Sequence, residues 1–111
     1  MPIDDDKANE ILRARLAELE AASAATADER KPVELDQASV GRLSRMDAMQ
    51  VQAMAEAGER RRVAEIGRVK AALKRVEEGE YGYCVTCGDE IAPKRLALDP
   101  SVATCVDCAS R

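Results

Sequence analysis

The sequence predicts a mainly α-helical fold, in which an antiparallel helical hairpin (coiled coil) is followed by a small domain held together by four cysteines. The 111 residues include two tyrosines but no Phe or Trp, and 34% of them are charged. Abundant Ala, Glu, Arg and Leu with few aromatic side chains is typical of long helices and coiled coils. All four cysteines lie in the last third of the chain. We therefore place the hairpin at 1–78 and the cysteine-containing domain at 79–111.

The first helix is predicted over about residues 4–28. Three consecutive aspartates at 4–6 suit the positive end of a helix dipole and can cap the first turn. Leu12, Leu16 and Leu19 recur at the spacing of a single helix face. The small side chains of AASAATA continue this face, so a partner helix can approach closely.

A tight connection, the tip of the hairpin, is predicted over about 29–35. Pro32 disfavours helical backbone at the residue before it and removes a backbone donor. Asp36 is a suitable N-cap for a long second helix over about 36–78, which would span about 65 Å. The glycines of the sequence EEGEYG, Gly79 or Gly82, are expected to end this helix.

The first helix is the shorter one, so we expect it to cover only the part of the second helix nearest the tip. Leu12, Leu16 and Leu19 would then face Leu43, Met46 and their neighbours. Met49 and Met54 are also interpreted as packing residues of the hairpin, because methionine fills irregular gaps. Two glycines inside the second helix, Gly58 and Gly67, each cost about 1 kcal/mol relative to Ala, so a bend or a change of packing is expected there.

The four cysteines have the spacing of a zinc site, C-x₂-C-x₁₇-C-x₂-C, formed by Cys84, Cys87, Cys105 and Cys108. Each pair supplies two thiolates from a tight turn, and two such turns complete a tetrahedron. The chain has no His, so four cysteines are the plausible ligand set. Because no position is left for water, the single Zn²⁺ is interpreted as structural, and residues 79–111 as a four-cysteine zinc finger.

Two other interpretations of the cysteines are weighed against zinc. Paired disulfides are uncommon in cytosolic proteins, where paired cysteines more often hold a metal. A redox-active Cys-x-x-Cys is expected beside a βαβ pattern, which this sequence lacks. The duplicated spacing therefore favours metal binding.

Charge and hydropathy argue against several classes of function. The net charge is −4, and a zinc ion held by four thiolates makes it more negative, which disfavours nonspecific DNA binding. No stretch approaches the roughly 18 apolar residues of a membrane helix, and the acidic amino terminus does not resemble a signal peptide. We therefore expect a cytoplasmic protein. The sequence shows no nucleophile–base pair, so we do not expect an enzyme.

The run VEEGEYGYCVTCGDEIAPKRLALDPSVATCVDCASR resembles the DksA/TraR family of zinc-finger transcription regulators. The shared features are V-E-x-G-x-Y-G-Y-C at the end of the long helix, then C-G-x-x-I, R-L at 95–96 and C-x-D-C. The resemblance is close over 76–108, and the preceding helical hairpin agrees in architecture. It implies a helical hairpin followed by a structural zinc finger.

The resemblance also implies a factor that binds RNA polymerase and does not read DNA sequence, and we expect it to act as a monomer. Members insert the tip of the coiled coil into the secondary channel and modulate initiation. Their acidic D-x-A element at the tip is matched by Asp36 and Ala38 in L-D-Q-A-S. Asp36 is equally explained as a helix N-cap. Longer members carry a further acidic residue where this chain has Val33.

Some members of the family bind the alarmone ppGpp through basic residues. Arg61 and Arg68 match the positions on the long helix, whereas Ala109 stands where those members have a basic residue after the last cysteine. The resemblance thus marks Arg61 and Arg68 as contacts to polymerase or nucleotide. Their ordinary alternative is a solvated helix face.

Two other classes of function stay open at the level of sequence. One is a zinc-ribbon adaptor that binds a protein other than polymerase. The other is nucleic-acid binding through the finger, which its charges disfavour. Residues 84–108 contain fewer basic than acidic side chains. The two basic residues are Lys94 and Arg95, and the four acidic residues are Asp89, Glu90, Asp99 and Asp107.

Overall fold

The computed structural model describes residues 4–27 and 42–110, with residues 42–44 described by their backbone alone. The helices in these ranges are α1 (Asp5–Ala25), α2 (Arg42–Glu77), α3 (Pro93–Leu98) and α4 (Val106–Ala109). An isolated antiparallel bridge joins Tyr83 to Glu90. The predicted tip at 29–35, the start of the predicted long helix, and Asp36 and Ala38 lie outside the described residues. In the described ranges, no helix has the length and apolarity needed to cross a membrane.

Helix α1 begins at a capped aspartate and ends before the predicted position 28. The side chain of Asp4 accepts a hydrogen bond from the Asp6 backbone N–H at 3.4 Å. At the other end, the Thr26 hydroxyl donates to the Ala22 carbonyl oxygen at 3.1 Å. This hydroxyl and the Thr26 backbone N–H both bond to carbonyl groups of the last turn, which have no partner further along the helix.

Helix α2 is continuous over 36 residues, or about 54 Å. It passes through Gly58 and Gly67 without interruption, so neither glycine ends or divides it. It stops at a Schellman motif: Gly79, at φ 75°, donates to the Val76 carbonyl at 3.2 Å, and Glu80 donates to the Arg75 carbonyl at 2.8 Å. Gly79 therefore ends α2, and it is one of the two glycines that the sequence predicted for this role.

The register of the hairpin differs from the prediction. Helix α1 packs antiparallel against the carboxyl-terminal half of α2, close to the finger, and not against the half nearest the tip. Two polar contacts fix this register: Ser23 donates to Glu59 at 2.5 Å, and Arg62 donates to the Thr26 hydroxyl at 2.9 Å. The expected pairing of the α1 leucines with Leu43 and Met46 is thus wrong.

The physical reason for this register lies in the side chains that the two halves of α2 offer. The carboxyl-terminal half carries the branched aliphatic residues Ile66, Val69, Leu73 and Val76 at helical spacing, and Val69 is buried. The other half offers mainly Met and Ala at the corresponding positions. Branched side chains bury more area per residue in a fixed conformation, so α1 gains more by packing there.

A single core joins the two long helices to the finger. The buried members from α1 and α2 include Leu12 and Ala72, both fully covered, and small alanines let the helices approach closely. The finger adds Tyr81, Ile91 and Leu96 to the same cluster. We call the packed pair α1 and α2 the stem, and residues 79–110 the finger.

The amino-terminal part of α2 presents apolar side chains to solvent. Met46, Met49 and Met54 are 57%, 55% and 71% exposed. Their interpretation as buried packing residues of the hairpin is therefore wrong for the part of the chain that the structure describes. The displaced register is the reason, because α1 ends beside Glu59 and Arg62.

Candidate metal centre and stem

The four cysteine sulfurs converge at one point of the finger. The Sγ atoms of Cys84, Cys87, Cys105 and Cys108 all lie within 4.8 Å of one another. The sulfurs of Cys87 and Cys105 are 3.7 Å apart. A tetrahedral zinc ion with Zn–S bonds of about 2.3 Å places its sulfurs about 3.8 Å apart. The donor set therefore fits one structural Zn²⁺ bound by four thiolates.

The first pair of ligands is held by a turn that needs glycine. Gly88 has φ 79°, a conformation that L side chains rarely adopt, and its backbone N–H donates to the Cys84 carbonyl at 2.9 Å. The Thr86 backbone N–H points at the Cys84 sulfur from 3.4 Å. The Cys84 backbone N–H donates to the Asp89 carbonyl at 2.8 Å. The turn thus aims backbone donors at the metal ligand while it fixes the ligand's position.

The second pair lies at the start of a short helix. Cys105 is the N-cap residue of α4, and Cys108 follows one turn later. The two halves of the site are tied together by the Val85 backbone N–H, which donates to the Ala103 carbonyl at 2.9 Å. This bond brings the loop before Cys105 alongside the first turn.

The electrostatics of the cluster favour a cation at its centre. Backbone N–H groups of Cys87 and Cys105 lower the pKa of the Cys84 thiol to about 6. The neighbouring Cys105 and Cys84 sulfurs raise the pKa of the Cys108 thiol to about 12. Four sulfurs this close cannot all ionise without a positive charge between them. A divalent cation that accepts all four removes that repulsion and displaces the remaining protons.

Polar contacts outside the ligands hold the rest of the finger. Tyr81 is buried, and its hydroxyl donates to the Pro100 carbonyl at 2.7 Å. Arg95 reaches from α3 to the Thr104 carbonyl at 2.9 Å, next to the third cysteine ligand. The fold of such a small domain thus depends on long side chains as well as on the metal. No pattern in the sequence predicts the carbonyl partner of Tyr81, which lies 19 residues away.

The two arginines singled out on the long helix share one groove of the stem. Arg61 and Arg68 are both exposed and line a groove of about 580 Å³. Arg15 of α1 and Arg62 line it too, and both are engaged in ion pairs with glutamates. The structure therefore places Arg61 and Arg68 together on the stem, with no ion pair of their own among the described residues.

Comparison with known proteins assigns the finger to a family. Residues 79–111 match the model described as the prokaryotic dksA/traR C4-type zinc finger. The chain is 42% identical over 43 residues to the RNA polymerase-binding transcription factor DksA of Escherichia coli strain K12, and 39% identical over 41 residues to that of Haemophilus influenzae. These matches cover 39% and 37% of this chain and 28% of each relative. The chain thus matches less than a third of the length of these curated relatives.

Two solved structures resemble the chain over nearly its whole length. Transcription factor DksA2 from Pseudomonas aeruginosa superposes with a TM-score of 0.74 at 21% identity, over 96% of this chain and 81% of that one. The DnaK suppressor protein from Agrobacterium tumefaciens C58 gives 0.57 at 25% identity, over 99% and 95%. The first likeness shows the fold, a stem of two long helices that carries a zinc finger.

The stem and the four-cysteine centre define this protein as a helical-hairpin protein with a C4-type zinc finger. The match assigns residues 79–111 to the prokaryotic dksA/traR C4-type zinc fingers. The resemblance stated from its sequence is thereby confirmed.

Proposed function

We propose that this chain is an RNA polymerase-binding transcription regulator. The observation that carries the proposal is the finger with its family match, together with curated relatives that are named RNA polymerase-binding transcription factors. The match covers only 28% of each relative, so it does not support the proposal by itself. The fold of the stem gives additional support. Its two-helix architecture agrees with that of a solved transcription factor.

In this proposal, the long helix sets the reach of the protein. Helix α2 connects the finger to the region of the tip as one unbroken rod of about 54 Å. Among the described residues, helix α1 braces only the half of α2 next to the finger. The other half carries the tip, which lies at its far end. We propose that the tip, with Asp36 and Ala38, enters the secondary channel of polymerase and modulates initiation there.

Zinc has a structural role in this proposal. The buried residues of the finger are too few for a stable core on their own, and structural zinc supplies on the order of 10 kcal/mol of folding free energy. When zinc is bound, it holds Cys84 and Cys87 against Cys105 and Cys108. The finger then gives the end of α2 a fixed shape that polymerase can contact.

The groove with Arg61 and Arg68 is proposed as a second contact surface, for polymerase or for ppGpp. Both guanidinium groups are exposed and lack ion-pair partners among the described residues. An anionic phosphate or a polymerase carboxylate would pair with them by charge-assisted hydrogen bonds. We propose that the protein acts as a monomer and contacts polymerase without sequence-specific contacts to DNA.

The direct test is binding to purified RNA polymerase core, followed by transcription in vitro with and without ppGpp. We expect saturable binding at one chain per polymerase and a change in the lifetime of initiation complexes. Failure to bind core and holoenzyme at micromolar concentration would reject the proposal. Arg61→Gln and Arg68→Gln should weaken binding or the response to ppGpp, whereas Lys70→Gln, on the exposed surface of the same helix, serves as the matched control.

A further inference from the structure

A charged donor without a partner lies where the stem meets the finger. Nη2 of Arg75 is buried and has no hydrogen-bond partner among the described residues. Arg75 stands in the last turn of α2, and burial lowers the pKa of its guanidinium group. A buried charged donor that is left unpaired is costly, since it has lost water and gained nothing in exchange. Arg75 as a whole is only half-buried, so a rotation of its side chain can turn Nη2 outward, where an anion can satisfy it.

Arg75 lines a pocket of about 380 Å³, which we call the Arg75 pocket. Two of its lining residues, Gly79 and Gly88, have positive φ and open space where a Cβ atom would stand. Bare backbone at these positions lets another chain come close. Tyr83 and Val85, 43% and 60% exposed, supply apolar surface to the same pocket.

We propose that the Arg75 pocket docks the side-chain carboxylate of an Asp or Glu residue of a protein partner. The planar guanidinium group matches a carboxylate in shape and can donate two parallel hydrogen bonds to it. The apolar surface of Tyr83 and Val85 suits the residues on either side of that acid. The proposal goes beyond polymerase binding by the tip, and it holds for any protein partner of the finger.

Charge selects a single carboxylate over phosphate or nucleic acid. Among the described residues that line the pocket, Arg75 is the one basic residue, and Glu80 lines it as well. The zinc-bound thiolate of Cys84, a further lining residue, adds negative charge nearby. Each further negative charge on a ligand adds repulsion from Glu80 and the Cys84 thiolate, so a phosphate dianion or a polyanion is disfavoured more than a single carboxylate. Glu80 forms no ion pair with Arg75 in the described structure, so it does not occupy the place of the ligand.

A matched pair of peptides tests the proposal with the zinc-loaded full chain. The probes are Ac-Val-Glu-Val-NH₂ and Ac-Val-Gln-Val-NH₂, at equal ionic strength, with sodium phosphate as a third arm. The observables are the Arg75 Nε–Hε resonance and the backbone amide resonances of Tyr83 and Gly88 in ¹⁵N-correlated spectra. We expect saturable shifts with the Glu peptide and about tenfold weaker binding of the Gln peptide, because one charge-assisted pair is lost.

Variants identify the guanidinium group as the origin of binding. Arg75→Gln should abolish the shifts at Tyr83 and Gly88, and Arg75→Lys should weaken binding severalfold because the two-pronged donor is lost. Lys74→Gln, on the exposed side of the same turn, should bind like the parent. Zinc content and circular dichroism establish that each variant is folded. If Arg75→Gln does not fold, the peptide binding of Arg75→Lys is compared with that of the parent instead.

Three results would overturn the proposal. They are equal binding of the Gln and Glu peptides, phosphate binding in preference to the Glu peptide, and unchanged peptide binding by the Arg75 variants. None of these measurements involves polymerase. Failure of the Arg75 pocket is therefore distinguishable from failure of the proposed function.

Discussion

Arg15 and Glu65, 50 residues apart in the sequence, form a two-pronged ion pair that ties α1 to α2. Nε of Arg15 donates to Oε2 at 2.7 Å, and Nη2 donates to Oε1 at 2.9 Å. The geometry is the parallel fork that Arg and carboxylate groups prefer. This pair stands beside the buried Leu12 and Val69, so it marks the register in which the stem packs.

The ion pair predicts a specific dependence of stability on pH. The hydrogen bonds from Arg15 lower the pKa of Glu65 below its ordinary value of 4.5. A group with a lowered pKa in the folded state stabilises the fold above its unfolded pKa, and this contribution is lost as the pH falls through the folded pKa. We expect Glu65→Gln to cost about 0.5–1 kcal/mol at pH 7, because the pair is partly exposed and screened by solvent.

Urea unfolding of the parent and of Glu65→Gln, at pH 7 and at pH 3, measures this contribution. The difference between the two proteins should shrink towards zero at the lower pH. Zinc is lost from both proteins in acid, so its effect cancels in the difference. A difference that stayed constant, or grew in acid, would contradict the assignment of the lowered pKa to this pair.

The register of the stem predicts opposite outcomes for two apolar truncations. Leu12 is fully buried between the helices, and Leu12→Ala should destabilise the protein by about 2–5 kcal/mol. Met46 is 57% exposed, and Met46→Ala should change the free energy of unfolding by no more than about 0.5 kcal/mol. Chemical denaturation of the zinc-loaded proteins compares the two. Similar losses for both variants would favour the register in which the α1 leucines face Met46.

The zinc centre predicts a separate loss of structure in the finger. We expect one zinc ion per chain by elemental analysis of reduced protein, and Cys105→Ser should lose most of it because one of four ligands is gone. The stem should keep much of its helical circular dichroism, since its main contacts are between α1 and α2. Undiminished zinc content in Cys105→Ser would remove this cysteine from the ligand set.

The sequence predicted the elements of this fold better than their pairing. The leucine stripe of α1 and the cysteine spacing each reflect a local rule, namely helical periodicity and the needs of a tetrahedral metal. Helical periodicity does not predict the register, because the leucine stripe of α1 can pack against either half of α2. The register was decided by the branched side chains of Ile66 and Val69 and by the Arg15–Glu65 pair.

The same limit applies to the candidate sites. The four sulfurs converge as their spacing predicts, because each pair needs only a local turn. The unpaired guanidinium of Arg75 has no signal in the sequence KRVEEGEYG. In the folded protein, it lies close to Tyr81 and shares a pocket with finger residues such as Tyr83 and Val85.

The final prediction concerns the tip, where Asp36 has two candidate roles that one substitution separates. Asp36 and Ala38 lie outside the described residues, and their assignment depends on the family's D-x-A element. Asn is nearly as good an N-cap as Asp, so Asp36→Asn keeps the cap and removes the charge. We expect this variant to lose the effect on initiation while polymerase binding and thermal stability stay close to the parent. Glu34→Gln, which removes a neighbouring charge, is the matched control.

Asp36→Ala completes the test, because it removes both cap and charge and should cost about 1 kcal/mol of stability if the cap forms. Transcription in vitro on a promoter where the parent is active, together with thermal unfolding, gives both readouts. If Asp36 is only a cap, the Asn variant will regulate like the parent and the Ala variant will be less stable. If the charge acts at the polymerase active site, the Asn and Ala variants will lose regulation alike, whatever their difference in stability. Unaltered regulation by Asp36→Asn would therefore eliminate the proposed role of this carboxylate.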